Sequence, residues 1–391
     1  MKVKEVRYSM THYLFGALPA RLGDEMTGQS ILLLGIAAGS ARLGSSLLAA
    51  LTFSAAVGGP LLGAMLDRAH HPGRVLATTI GTYAAGIAGI SLLIGHAPLG
   101  ISLVVALAAG FLMPSISGGW SSRLKSFTPN EYMTRASAID ATTFNIAGLA
   151  GPALAGLIAG WLGAGWAVGL LVFLLLAALP MAWGLPKHAG AAEAKKVKLV
   201  HDIVAGFRII VAKRALLRIT ILSVISYLGI GMLWVVCPLV GLKQFGNAGF
   251  GGVMMSVTSV GALAATAVYA KWPTKHAPDT VAFITTLVLA AAMLLLAVAD
   301  NVFVVLLAML VAGIADGPQL AAVFAVRHRE APERYRSQVF TTGASLKITA
   351  AAIGAALAGS LAASSLIWVT VVAGAVQVLA ASAYLTFNRH N

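Results

Sequence analysis

Three ionisable residues, Arg21, Asp24 and Glu25, fall close together inside an otherwise apolar stretch. The spacing from Arg21 is i, i+3 to Asp24 and i, i+4 to Glu25, so on a helix the one base meets either acid. Carboxyls held away from water pair with cations, and where cations run short they take up protons more readily than in water. Asp316, Lys347 and Asp140 interrupt apolar runs in the same way. The residues for other chemistries are missing. There is no GxxxxGK[ST] phosphate loop, and the Gly-rich run at 246–252 lacks a following Lys, so it reads as a flexible entry to a helix. His70-His71 and the scattered other histidines have no metal-ligand spacing. No Ser/His/Asp set converges on one depth. The expectation is a chain with no catalytic residues, no metal and no cofactor, which is not an enzyme.

Composition sets the elements that carry these charges. Apolar types supply 59% of the 391 residues and charged types 10%, against about 25% charge in a soluble domain. Mean hydropathy is +0.87. A soluble enzyme, a secreted disulfide scaffold and a disordered tail are excluded, and the single Cys237 rules out an intramolecular disulfide. Residues 1–10 are basic and polar, and the apolar stretch after them is long enough to span, so no cleavable signal peptide is expected. Apolar runs recur at 12–36, 43–66, 75–95, 99–119, 136–160, 163–185, 219–240, 248–270, 278–299, 302–325, 338–362 and 365–386. Stretches such as 171–179 are continuously apolar rather than alternating, which argues for helices over a barrel. The fold class is therefore an all-α membrane protein of twelve spans.

On that reading Asp24 and Glu25 lie about 12 residues into the first span, near mid-depth. Lys347 lies roughly 14 Å inside the eleventh. Asp316 sits deep in the tenth beside Gly317-Pro318, where a break would free backbone carbonyls. Asp140, about a turn from the end of the fifth, is expected to reach water.

The net charge of +14 would point to nucleic acid on a soluble chain. Its placement says otherwise. Of 27 Lys and Arg, 23 fall on the side shared by both termini, two (Arg42 and Lys243) fall opposite, and Arg21 and Lys347 lie within spans. That asymmetry places both termini in the cytoplasm of a multi-pass protein of the cell (inner) membrane, with no nucleic-acid partner.

The chain also repeats itself. A shift of 203 positions superimposes 129–156 on 332–359 with nine identities in 28, including Pro129 on Pro332, Tyr132 on Tyr335, Gly151 on Gly354 and Gly156 on Gly359. Gly110 meets Gly313 at the same shift. Three units follow: a six-helix bundle at 1–185, a linker at 186–218 and a second six-helix bundle at 219–391, the bundles related by a pseudo-twofold along the membrane normal. In the linker Leu199, Val200, Ile203, Val204, Phe207, Ile210 and Val211 recur at helical spacing, with His201, Asp202, Arg208 and Lys213 largely opposite. This predicts an amphipathic helix lying on the anionic inner leaflet as an interfacial spacer.

Two local motifs carry a resemblance. The loop between spans 2 and 3, 58–74, sets Gly63, Asp67, Arg68, Gly73 and Arg74 in a Gly, acid, base, Gly, base order, with 69–72 as extra residues. In the fifth span GLAGPALAG at 148–156 holds Gly148, Gly151, Pro152 and Gly156, with Ala147 and Ala155 where further glycines would stand. The chain resembles the major facilitator superfamily, and in these motifs its bacterial proton-coupled exporters of drugs and small molecules. One departure is clear: no Lys or Arg lies between Arg74 and Arg123, so the basic residue such proteins carry early in the fourth helix is missing.

The resemblance implies a gating loop in which Asp67 faces the positive N-terminus of a helix from the other half, the eleventh. Gly63 would permit close helix contact there. It also implies a central cavity lined by the first, fourth, seventh and tenth helices. Arg21, Asp24, Glu25 and Asp316 would face that cavity, with Lys347 at its border. Three acids against two bases leave an excess of negative charge suited to proton exchange. Tyr227, Trp234 and Phe144 are the candidate cavity aromatics, joined by Asn145 and Gln319. The expected function is a monomeric, proton-coupled antiporter exporting small organic molecules, its partners being that substrate, protons and the bilayer. A proton symporter importing a metabolite is the alternative, and a non-transporting sensor or assembly factor on the same scaffold a second one.

Overall fold

A bilayer offers no hydrogen-bond partners to the backbone, so a long apolar segment must satisfy its N–H and C=O groups internally. The structure, a computed structural model, describes residues 2–39, 41–126, 128–186, 199–246, 250–272, 275–362 and 365–386, and among these the regular structure is entirely helical. The first-half helices are α1 (Lys2–Ala37), α2 (Ala41–Arg68), α3 (Pro72–Leu93), α4 (Leu99–Gly110), α5 (Met133–Leu162) and α6 (Ala164–Ala177). They are followed by the linker helix α7 (Leu199–Ala212). The rest are α8 (Arg214–Phe245), α9 (Phe250–Lys271), α10 (Pro278–Ala297), α11 (Val302–Glu330), α12 (Arg336–Ala362) and α13 (Leu366–Thr386). Eleven helical segments among the described residues are long and apolar enough to cross a membrane; α1 is 36 residues long and carries Arg21, Asp24 and Glu25 in its middle.

Local sequence explains where the helices stop. Pro72 and Pro278 start α3 and α10, where a missing N–H costs nothing. Gly163 between α5 and α6 and Gly246 at the end of α8 take φ of 103° and 67°, values that a side chain disfavours. Beyond α4 the Pro114 and Gly118-Gly119 region relaxes into a π-helical turn, Ser115–Gly119, before a short helix, Trp120–Arg123. One expectation fails here. Gly317-Pro318 does not break its helix: α11 runs unbroken from Val302 to Glu330 with Pro318 inside it, so only the hydrogen bond that Pro cannot donate is lost. Of the run at 246–252, residues 247–249 lie outside the described residues, as do 187–198 of the linker.

The described residues fall into two compact units, and each exchanges one helix end with the other. The first comprises Met1–Asn130, Ile146–Arg208 and Ala331–Ser345; the second Glu131–Asn145, Ile209–Glu330 and Leu346–Asn391. Within the first, α1 packs on α2 and α6, α2 on α4, and α3 on α4 and α6. Within the second, α8 packs on α9 and α13, α9 on α11, and α10 on α11 and α13, which is the same pattern seven helices later. The boundaries repeat too. A 3₁₀ turn at Asn130–Tyr132 precedes α5 at Met133, and one at Glu333–Tyr335 precedes α12 at Arg336, both shifted by 203. So do the tight contacts. A side chain at Gly110 of α4 would strike Leu51 of α2, and one at Gly313 of α11 would strike Thr258 of α9.

The linker helix is amphipathic and is also held by an ion pair. Val204, Phe207 and Val211 are exposed, as a membrane-facing stripe would be. On its opposite face His201, Arg208 and Lys213 are exposed, but Asp202 is 3% exposed, with Arg68 2.6 Å and Arg334 3.2 Å away. A carboxylate among guanidinium groups gains more from them than from water, and it ties α7 to the first unit.

Candidate functional site

Three polar clusters are built into these units. The first is on α1. Arg21 is 1% exposed and its Nη2 donates to Ser121 Oγ at 3.0 Å and to Tyr13 Oη at 3.5 Å. The Tyr13 ring meets Trp120 edge-on at 5.7 Å. One turn along α1 the hydroxyls form a directed chain. Thr27 Oγ1 donates to the Gly23 carbonyl at 3.2 Å. Tyr83 Oη donates to Thr27 Oγ1 at 2.9 Å. Asp24 is within hydrogen-bonding reach of Tyr83 and electrostatic reach of Arg21 and Glu25. The Oδ1 atom of Asp24 is buried without a hydrogen-bond partner. Glu25 is exposed and lies against α5, where a side chain at Gly151 would come 2.8 Å from Glu25 Cβ.

The second cluster lies in the second unit. Lys347 Nζ stands 3.7 Å from the centroid of the Tyr227 ring, a cation–π contact, with Asp316 within electrostatic reach. Asp316 Oδ1 is buried without a hydrogen-bond partner. Gln319 is 2% exposed; its Nε2 donates to Thr286 Oγ1 at 2.6 Å and its Oε1 accepts from Ser226 Oγ at 3.4 Å. These bonds tie α8, α10 and α11 together, so its amide is spent on packing. Trp234 is half-exposed. Phe144 packs on Phe324 at 5.5 Å, and Asn145 Nδ2 donates to Thr266 Oγ1 at 2.9 Å and to the Ala262 carbonyl at 3.3 Å, so both join α5 to the second unit. Asp140 corrects an expectation. It is fully buried and does not reach water, because the first turns of α5 belong to the second unit rather than to an open helix end.

The third cluster is the densest. Asp67, at the end of α2, accepts from the Ser337 N–H on Oδ1 and from the Gln338 N–H on Oδ2, both at 2.9 Å. These are first-turn amides of α12, where the helix dipole adds its positive end. Arg123 Nη2 stands 3.3 Å from Asp67 Oδ1 and also donates to Ser337 Oγ. Ser122 Oγ donates to Ser337 Oγ at 3.1 Å. Along the same seam Thr341 Oγ1 donates to the Gly59 carbonyl at 2.6 Å, and Ser345 Oγ to the Ala55 carbonyl at 2.7 Å. Gly59 and Gly63 make this approach possible, since a side chain at either would collide with α12. Gln338 Nε2 donates to the Ile203 carbonyl of α7 at 2.7 Å, extending the seam to the linker helix beside Asp202.

The loop motif is thus split in space. Asp67 is at the seam and Arg68 beside it on Asp202. Gly73 packs instead under Ala182 and Leu185, and Arg74 lies over the Trp183 ring at 5.4 Å. In the α5 motif Gly151 contacts α1, whereas Gly148 and Gly156 face open space, so close packing explains only one of the three glycines. Pro152 is inside α5.

The family model described as transmembrane secretion effector matches residues 37–390. The chain belongs to the major facilitator superfamily. It is a multi-pass membrane transporter of this type. An uncharacterised MFS-type transporter, y4rN, of Sinorhizobium fredii is 26% identical over 389 residues, covering 95% of this chain and 94% of that protein. The fold is also that of solved facilitators. The human organic anion transporter MFSD10 (TETRAN) aligns with a TM-score of 0.76 at 15% identity, over 97% of this chain and 99% of that one. The MFS proton:xylose symporter XylE, bound to 6-bromo-6-deoxy-D-glucose, aligns at 0.75 and 14% identity, over 98% and 95%. At these identities the likeness shows the fold alone.

Sequence reasoning missed several partners in this facilitator. Arg123 counted there only as one more basic residue outside the spans, although it is 6% exposed beside Asp67. Ser337 and Gln338 carried no signal, because it is chiefly their backbone that serves. Tyr83 had one: it is a lone polar ring in a span of small and aliphatic residues.

Proposed function

We propose that this transporter is a proton-coupled exporter of small organic molecules, working by alternating access as the two bundles rock about a central cavity. One observation carries the proton part: Asp24 Oδ1 is buried in mid-helix with no hydrogen-bond partner, beside a second acid, Glu25, and within reach of Tyr83 and Arg21. Asp24, with Glu25 beside it, is the proton carrier; Asp316 and Lys347 pair and unpair between states. Export is supported by the secretion named in the matched family's description and by the Gly-Pro motif of α5. Both termini are cytoplasmic in the inner membrane, which puts Asp67 and the α12 N-terminus on the cytoplasmic side. There the contact latches that side shut, and its release opens it. Tyr227 and Trp234 line the substrate path.

The test is transport in proteoliposomes under an imposed pH gradient, with a panel of organic anions, cations and neutral metabolites. Uphill movement of a substrate against the proton flux is expected, with Asp24→Asn losing that movement while keeping downhill exchange. Asp24→Asn and Glu25→Gln proteins that both transport normally would overturn the proton assignment, and substrate moving with the protons would overturn export.

A further inference from the structure

The two units repeat one groove and fill it differently. In the first, Ala64, Asp67 and Arg68 of α2, Asp202 of α7 and Gln338 of α12, with Arg334 and Tyr335, line a pocket that has no room for a water molecule, and the Asp202 carboxylate there meets Arg68 at 2.6 Å. The 203-residue shift turns Ala64, Asp67 and Arg68 into Ala267, Ala270 and Lys271 of α9, and the reverse shift turns Gln338 into Arg135 of α5. In the second unit those four residues, with Ile139 and Thr142, line an open groove of about 250 Å³. The chemistry has been inverted. The acid is now Ala270 and the amide is now an arginine, so the groove presents two cations and no acid in its lining; Glu131, at the repeat position of Arg334, lies outside it. Ile139, Ala267 and Ala270 make the rest of its wall apolar. Trp272, exposed and under the Lys271 ammonium at 4.4 Å, follows at the end of α9, where aromatic side chains mark the boundary between bilayer and water.

Two cations over an apolar wall at a helix end beside the headgroup layer suit a molecule that is anionic at one end and hydrocarbon at the other. We propose that the α5–α9 groove binds one anionic phospholipid of the adjacent leaflet. Its phosphate is held by Arg135 and Lys271 and its upper acyl chain lies along Ile139, Ala267 and Ala270. The phosphate stands where the Asp202 carboxylate stands in the first unit. The lipid thus supplies from the bilayer an anion that the first unit takes from its own linker helix.

Native mass spectrometry of the delipidated full-length protein, titrated with phosphatidylglycerol, tests this. Wild type is expected to retain one phosphatidylglycerol that R135Q/K271Q binds on the order of tenfold more weakly, equivalent to about 1.4 kcal/mol. Phosphatidylcholine is expected to bind both alike, and K243Q, at the other end of the protein, to match wild type. Ala267→Trp fills the groove without altering charge and is expected to lose the same lipid, an independent arm should the double variant unfold. Equal phosphatidylglycerol binding by wild type and both groove variants overturns the proposal. So does phosphatidylcholine binding as tightly as phosphatidylglycerol, or inorganic phosphate displacing the lipid at matched concentration.

Discussion

Two buried carboxyls of the first unit are held in opposite ways. Asp67 has both oxygens occupied, by two backbone N–H groups and by Arg123. Asp24 has an oxygen with no hydrogen-bond partner, with Tyr83 within reach of the carboxyl. The first arrangement stabilises a fixed charge; the second leaves a carboxyl oxygen with no donor to hold it. The fixed charge is vulnerable to loss of its cation. Removing one member of a buried pair leaves the other uncompensated, so Arg123→Ala is expected to cost about 3–5 kcal/mol of stability. Denaturant unfolding in detergent measures this, and Arg123→Ala combined with Asp67→Asn should cost less than the two singly. Additive losses would mean that the residues do not act as a pair.

At the scale of elements, the α2–α12 seam is set by glycine. Gly63 has Thr341 and Gln338 where its side chain would be, whereas Gly156 in α5 has nothing within 4 Å. Gly63→Leu overpacks the seam and is expected to destabilise by about 1–3 kcal/mol. Gly156→Ala should be neutral or stabilising by up to about 1 kcal/mol through helix propensity. Melting temperatures of the two proteins check the contrast, and equal shifts would contradict it. The linker helix is held by charge as well as by packing, since Ile210 is buried and Asp202 meets two arginines while Val204, Phe207 and Val211 face outward. Asp202→Asn is expected to speed hydrogen exchange across α7 at least about tenfold, as local opening becomes easier, with little change in α3 or α10. Unchanged exchange in α7 would show that other contacts hold it.

For the whole molecule, orientation rests on the Lys and Arg distribution. Lys243→Cys is expected to react with an impermeant maleimide from outside the cell, and Lys275→Cys only after the membrane is opened. Cys237 is buried, so it should stay silent in both proteins. The reverse labelling pattern would invert the topology.

Much of this architecture was legible beforehand because its causes are local and additive. Long apolar runs must be helices in a bilayer, and a 203-residue repeat of Gly, Pro and Tyr marks two bundles of like packing. The charges of α1 were legible for the same reason, since a charge in an apolar run stands out whatever surrounds it. What only the tertiary structure decided is which of the polar atoms meet. Arg123 joining Asp67, Ser337 offering its amide and Asp202 reaching Arg68 from a linker helix all join residues more than fifty positions apart. Asp140 being buried and α11 running unbroken through Pro318 depend on neighbours that no local spacing encodes. Composition and periodicity act along the chain, and so they determine the spans. Hydrogen bonds and ion pairs act across it, over a few ångströms, and so they wait for the fold.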